Sequence, residues 1–139
     1  MSNTKNLLIF LILYVSLLIG FLLDENLNFG SYYDWINGNA PPIKDFANNF
    51  YDTLVNFEKY GHRHSPFYII FLSLLFRLGF DLDTIRFMHM HGCIVFIFLF
   101  YHCLKLRFKD IDKFTLQLLS MIIFISPTFR SLSIWPDSR

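Results

Sequence analysis

Two adjacent acidic residues, Asp24 and Glu25, follow directly on an apolar stretch near the start of the chain. A carboxylate at the boundary between lipid and water can act as a general base and take the proton of a reacting hydroxyl group. A lipid-borne substrate would present its head group at the same depth. The structural alternative is that the acidic pair marks the point where the chain leaves the membrane, as charged residues commonly do.

A cationic segment, 62–66 (His-Arg-His-Ser-Pro), precedes a second apolar stretch. Ser65 suits a helix N-cap and Pro66 suits the first helical turn. Arg63 and His64 would therefore stand at a helix N-terminus, an arrangement that favours a bound phosphate. The alternative is an interfacial anchor, and two histidines two residues apart are weak evidence for a metal site. Near the end of the chain, Arg130 and Asp137 follow Pro127. These two residues would cover the same site on its outer side.

The composition indicates that these residues lie beside a membrane. The chain of 139 residues is 54% hydrophobic and 19% aromatic, and only 17% of its residues are charged. A soluble domain carries about 25% charged residues, and the 18 phenylalanines exceed what one small core would bury. The net charge of +1 and the lack of a long basic tract argue against a nucleic-acid partner and leave membrane lipid as the expected one.

Four apolar segments organise the chain, at 7–23, 66–78, 88–104 and 114–127. A helix needs about 20 residues to span a bilayer, so 66–78 is too short to cross comfortably.

The longest polar stretch is 24–64. Together with the short apolar helix 66–78 it is predicted to form a long outer loop over 24–87. Its start is rich in Asn, Gly and Pro and is predicted to be irregular. Apolar residues at spacings of three and four predict an amphipathic helix over 43–60, lying on the membrane surface.

Charge decides between three and four spans. With the N-terminus in the cytoplasm, four spans would place the basic stretch 105–113 outside, against the positive-inside rule. Three spans, with 66–78 on the outer surface, place it inside. We therefore predict an all-α, multi-pass membrane protein forming one membrane domain over 1–139. Its three spans and two surface helices would bring Asp24, Glu25 and Arg130 to one aqueous compartment.

Together these features resemble the GT-C class of membrane glycosyltransferases, which use a sugar carried on a polyprenyl phosphate. Residues 23–25 (Leu-Asp-Glu) look like the acidic pair of protein O-mannosyltransferases. Residues 64–68 (His-Ser-Pro-Phe-Tyr) are similar to their His-Pro-Pro-Leu-Tyr stretch, with Ser65 in place of the first proline. Residues 126–131 (Ser-Pro-Thr-Phe-Arg-Ser), leading to 135–137 (Trp-Pro-Asp), are similar to the run before the second acidic motif of oligosaccharyltransferase-type members.

The resemblance implies an inverting hexosyltransferase that moves a sugar from a polyprenyl-phosphate donor to an acceptor hydroxyl on the outer face of a bacterial inner membrane or its equivalent. Asp24 would be the general base and Glu25 would support it. The residues implied to bind substrate are Arg63, His64, Arg130 and Asp137. Some members of the class need a divalent metal, and nothing in the sequence indicates one, so the cofactor is unknown.

The resemblance covers only the N-terminal portion of such enzymes, so the chain is expected to be a fragment with companion transmembrane helices. Arg77, Arg86 and His102 would otherwise find few partners within three spans. Two alternatives stay open, namely a small non-enzymatic assembly or interaction protein of the membrane, and a transporter fragment.

Overall fold

The computed structural model describes residues 2–26, 31–62 and 65–136, and every regular element within those ranges is helical. The all-α prediction is therefore confirmed for the described residues. Helices α1 (Ser2–Leu22) and α6 (Leu82–Arg107) are long and apolar enough to cross a membrane.

A bent helix pair follows α6. Helix α7 (Lys113–Met121) continues through a 3-10 segment, Ile122–Ile125, and meets α8 (Pro127–Ile134) at an angle of 67°. Counted as one span, this pair would bring the number of candidate spans to three. The sequence predicted that the last helix ends at 127, but Ser126 caps a new helix there by accepting a hydrogen bond from Phe129 N.

The segment 24–87, which the sequence predicts to be an outer loop, is more helical at its start than predicted. Helix α2 (Ser31–Tyr33) leads through a π-helical stretch, Asp34–Asn39, into α3 (Ala40–Asn48). The two prolines that suggested a loop, Pro41 and Pro42, lie at the start of α3, directly after the π-helical stretch.

The prediction of one continuous helix over 43–60 was wrong. Helix α3 ends at Asn48, and the Asn49 side chain accepts a hydrogen bond at the start of α4 (Phe50–Val55). A 3-10 segment, Phe57–Tyr60, then ends at Gly61, which has a φ of 67°.

The amphipathic face of α3 is covered by protein. Ile43 and Phe46 are buried in one core cluster with Ile69 and Leu72 of α5 (Phe67–Arg77), against which α3 packs. This part of the face therefore does not lie on lipid as predicted, because α5 supplies the apolar surface that it needs.

Helix α6 begins well before the predicted start at 88. The Asp81 side chain accepts a hydrogen bond of 2.7 Å from Thr84 N and so caps the helix. Near the N-terminal end of α1, the Asn6 side chain is hydrogen-bonded to Gln117, which holds this end against α7. The acidic pair lies at the opposite, C-terminal end of α1.

Candidate functional site

The turn after α1 directs the two neighbouring carboxylates to different partners. Asp24 has a left-handed φ of 53°, and Glu25 N donates to Gly20 O at 2.7 Å while Asp24 N donates to Phe21 O at 3.2 Å. This bond pattern is the Schellman motif, which normally places glycine at the left-handed position. Asp is among the residues that tolerate this conformation. The left-handed turn at Asp24 directs the side chains of Asp24 and Glu25 away from each other.

Glu25 forms a two-point ion pair with Arg130 of α8. Arg130 Nε donates to Glu25 Oε1 at 2.7 Å, and Arg130 Nη2 donates to Glu25 Oε2 at 2.5 Å. The guanidinium also donates to the Ser16 hydroxyl at 3.2 Å and to the Ser16 carbonyl at 3.1 Å. Gly20 makes this packing possible, because both charged groups lie directly over its Cα. The two side chains are only 18% and 12% exposed, so the pair is well shielded from water.

Asp24 pairs instead with Arg86 of α6. Arg86 Nη2 donates to Asp24 Oδ1 and Nη1 donates to Asp83 Oδ1, both at 3.0 Å, and Nε donates to Ile134 O at 3.3 Å. The guanidinium carbon lies 3.6 Å from the centroid of a Trp135 ring. The Arg86 side chain is 7% exposed and that of Asp24 is 63% exposed. The buried arginine therefore holds a carboxylate that faces water.

Trp135 joins the two ion pairs into one site. Its ring lies under Arg86, and its indole Nε1 donates to Glu25 O at 2.9 Å. The exposed Tyr32 meets the same ring edge-on, with centroids 4.8 Å apart. We call this group, Asp24, Glu25, Arg86, Arg130 and Trp135, the paired-charge site.

The C-terminal end of α8 is held by side chains, and this fixes Arg130 in place. The carbonyl of Leu132 would normally pair with the N–H of residue 136, which is a proline. His89 Nε2 lies 2.9 Å from that carbonyl, and Tyr68 OH lies 2.8 Å from His89 Nδ1. His89 therefore has a structural role as a cap of α8.

The structure brings together Asp24, Glu25 and Arg130 of the residues predicted from the sequence. Arg63, His64 and Asp137 lie outside the described residues. Arg130, predicted to bind a phosphate, already donates four hydrogen bonds, to Glu25 and Ser16. Since a guanidinium has five N–H groups, one is left for a further acceptor.

Arg86 was not predicted as a site residue, and its position in an apolar segment suggested that its partner would lie on a companion helix. Its partners are instead Asp24 and Asp83 of the same chain. The signal was present in the sequence, because Asp83 and Arg86 are three residues apart at the start of an apolar helix.

A groove of about 690 Å³ leads along α1 to the paired-charge site. Its apolar wall consists of Leu11, Ile12, Val15, Ile19 and Leu23. Its polar end is formed by Ser16, Glu25 and Arg130. The groove can therefore accept a hydrocarbon chain whose polar end lies against the ion pair. In 2–26, 31–62 and 65–136, no three side chains of the metal-binding types cluster to hold an ion.

No protein-family model, curated protein or solved structure matches this chain. The function is therefore inferred from the geometry of the paired-charge site and its groove.

Proposed function

We propose that the chain belongs to a GT-C glycosyltransferase and transfers a hexose from a polyprenyl-phosphate donor to an acceptor hydroxyl. The observation that carries the proposal is the exposure of Asp24 to water together with the hydrogen bonding of its carboxylate. Asp24 lies at the end of a helix suited to crossing a membrane, and it faces water. Arg86 holds its Oδ1, while its Oδ2 makes no hydrogen bond within the described ranges. This oxygen is free to accept a proton.

The groove along α1 supports a lipid-linked donor. In the proposed layout α1, α6 and the bent pair α7–α8 span the membrane, with the N-terminus in the cytoplasm and α2–α5 in the outer loop. The isoprenoid chain then lies against the apolar wall of α1, and the phosphate lies near the free N–H of Arg130. Glu25 contributes by fixing Arg130, and the resemblance adds Arg63, His64 and Asp137 as further contacts to the donor or acceptor.

In the proposed reaction the acceptor oxygen attacks the anomeric carbon, and Asp24 takes the hydroxyl proton. The bond between that carbon and the phosphate oxygen breaks, and the polyprenyl phosphate leaves with the electron pair. The attack comes from the opposite face, so the anomeric configuration inverts. Arg86 acts as a positioning residue, because it orients Asp24 without reaching the reacting atoms.

The test compares two carboxylates that share Arg86. Membranes containing the wild-type protein are assayed for sugar transfer from a panel of radiolabelled polyprenyl-phosphate hexoses. Asp24→Asn should lower transfer about 100-fold or more, since a general base contributes at least that factor. Asp83→Asn removes the other Arg86 partner and should leave most of the activity, with both variants inserted normally.

A non-enzymatic membrane subunit is the second candidate, because both arginines of the paired-charge site are engaged within the chain. Such pairs can serve only to hold α1, α6 and α8 together. The same experiment separates the two proposals. Undiminished transfer by Asp24→Asn would remove Asp24 as the base, equal losses in both variants would indicate a structural site, and no transfer from any donor would favour the subunit.

A further inference from the structure

The end of the molecule opposite the paired-charge site carries a concentration of exposed cations. Their positions are the start of α1, the last turn of α6, the following loop and the start of α7. Lys5 joins the others because the neighbouring Asn6 is hydrogen-bonded to Gln117. We call this group the cationic collar: Lys5, Lys105, Arg107, Lys109 and Lys113.

The collar has no internal counter-charge. None of its members forms an ion pair with a carboxylate in the part of the chain that the structure describes. Five cations and the two nearby acids, Asp110 and Asp112, give a net charge of +3. Asp112 is itself engaged at the start of α7, where it accepts hydrogen bonds from the backbone and hydroxyl of Thr115.

Helix stabilisation explains only part of this pattern. Lys105 and Arg107 lie in the last turn of α6, where positive charge suits the helix dipole. Lys109 lies outside any helix, and Lys113 is the first residue of α7, where positive charge opposes the dipole. Helix stabilisation does not account for the charges of Lys109 and Lys113, and an anionic membrane surface would complement them.

Apolar side chains alternate with the cations. Leu106, Phe108 and Ile111 are all exposed between Lys105 and Lys113. A segment at the membrane boundary can insert such side chains among the acyl chains while its cations reach the level of the phosphates. We propose that the cationic collar binds anionic phospholipid headgroups of the adjacent leaflet. Charge complementarity selects these lipids over zwitterionic ones, and the proposal is independent of the sugar-transfer reaction.

The proposal is tested with the full chain reconstituted into bilayers of phosphatidylglycerol and phosphatidylcholine. Spin-labelled analogues of each lipid report their relative association with the protein. A cation near an anionic surface contributes about 1 kcal/mol, which corresponds to roughly fivefold. The double variant K109Q/K113Q should therefore lower the preference for phosphatidylglycerol by several-fold in total. Each removed charge contributes up to about fivefold.

The matched control is K44Q/R77Q, which removes two exposed cations from the outer-loop helices and should keep the preference. An unchanged preference in K109Q/K113Q, or an equal loss in the control, would overturn the proposal. Wild-type protein gives a second readout that needs no substitution. Its preference should largely disappear at about 0.5 M salt because exposed charges are screened, and a preference that persists there would also contradict the proposal.

Discussion

Gly20 is predicted to be indispensable for the ion pair between Glu25 and Arg130. A Cβ atom built on Gly20 would lie 2.9 Å from Arg130 Nη2, and closer still to Glu25 Oε2. Both charged groups would have to move. Neither can move freely, because Arg130 is also bonded to Ser16 and the Glu25 backbone is bonded at its N–H and carbonyl.

The size of the effect follows from these constraints. Inserting one methyl group into well-packed surroundings typically costs about 1–3 kcal/mol. Separating the pair would add to this cost, because breaking one side of a shielded ion pair costs about 3–5 kcal/mol. Because both side chains already touch water, the displaced groups would be solvated and not left buried, so the second cost does not apply in full. We therefore expect Gly20→Ala to destabilise the protein by about 1–3 kcal/mol.

The assay is denaturant or thermal unfolding of the purified protein in detergent. Gly92→Ala in α6 is the matched control, because a Cβ there would meet no described atom within 4 Å. Alanine is favoured over glycine inside a helix by about 1 kcal/mol, so this variant should be neutral or slightly stabilising. A Gly20→Ala variant that is no less stable than Gly92→Ala would contradict this prediction.

Two further predictions concern the neighbouring helices. Arg86→Ala should lower the free energy of unfolding by about 1–3 kcal/mol, because the buried Ile134 carbonyl loses its donor and Trp135 loses the guanidinium packed on it. Asp24 and Asp83 are 63% and 83% exposed and stay solvated. Arg86→Lys should recover only part of this loss, since an ammonium group cannot bond three acceptors and stack on Trp135 together; unfolding midpoints that match wild type would contradict this. Hydrogen bonds from the Thr115 hydroxyl and backbone hold the pKa of Asp112 below its usual value, so the ionised cap stabilises α7 above the ordinary Asp pKa and is lost as pH falls through the lowered one. After correction for the intrinsic fall of amide exchange at low pH, the protection factor of the Thr115 amide should therefore decrease at acidic pH in wild type and not in Asp112→Asn, whose amide still caps. Equal acid sensitivity of the two proteins would count against this assignment.

The long apolar helices could be predicted from the sequence, because an uncharged run such as that of α1 has few other structures available. The start of α6 could not, since Asp81, Asp83 and Arg86 resemble loop residues until the cap and ion pair are known. The break in the amphipathic helix was hidden for a similar reason. Asn49 fits the polar face of a continuous helix, yet its side chain caps α4 instead.

The sequence predicted which residues the candidate site contains more successfully than it predicted which carboxylate pairs with which arginine. The positive-inside rule predicts that Asp24, Glu25 and Arg130 share one compartment, and the structure brings these three residues together. The sequence gives no sign that Asp24 adopts a left-handed conformation, because glycine is the usual residue there. That one backbone angle decides which carboxylate faces Arg130 and which faces Arg86.

The most direct test of the proposed layout is to determine on which side of the membrane each end of the molecule lies. Single cysteines are placed at the exposed positions Tyr33 and Lys109, after Cys93 and Cys103 have been replaced by alanine. A membrane-impermeant maleimide is then applied to intact cells. In the proposed layout, position 33 reacts at once and position 109 reacts only after permeabilisation. Labelling of both positions from the same side would contradict it, because the paired-charge site and the cationic collar would then share one compartment.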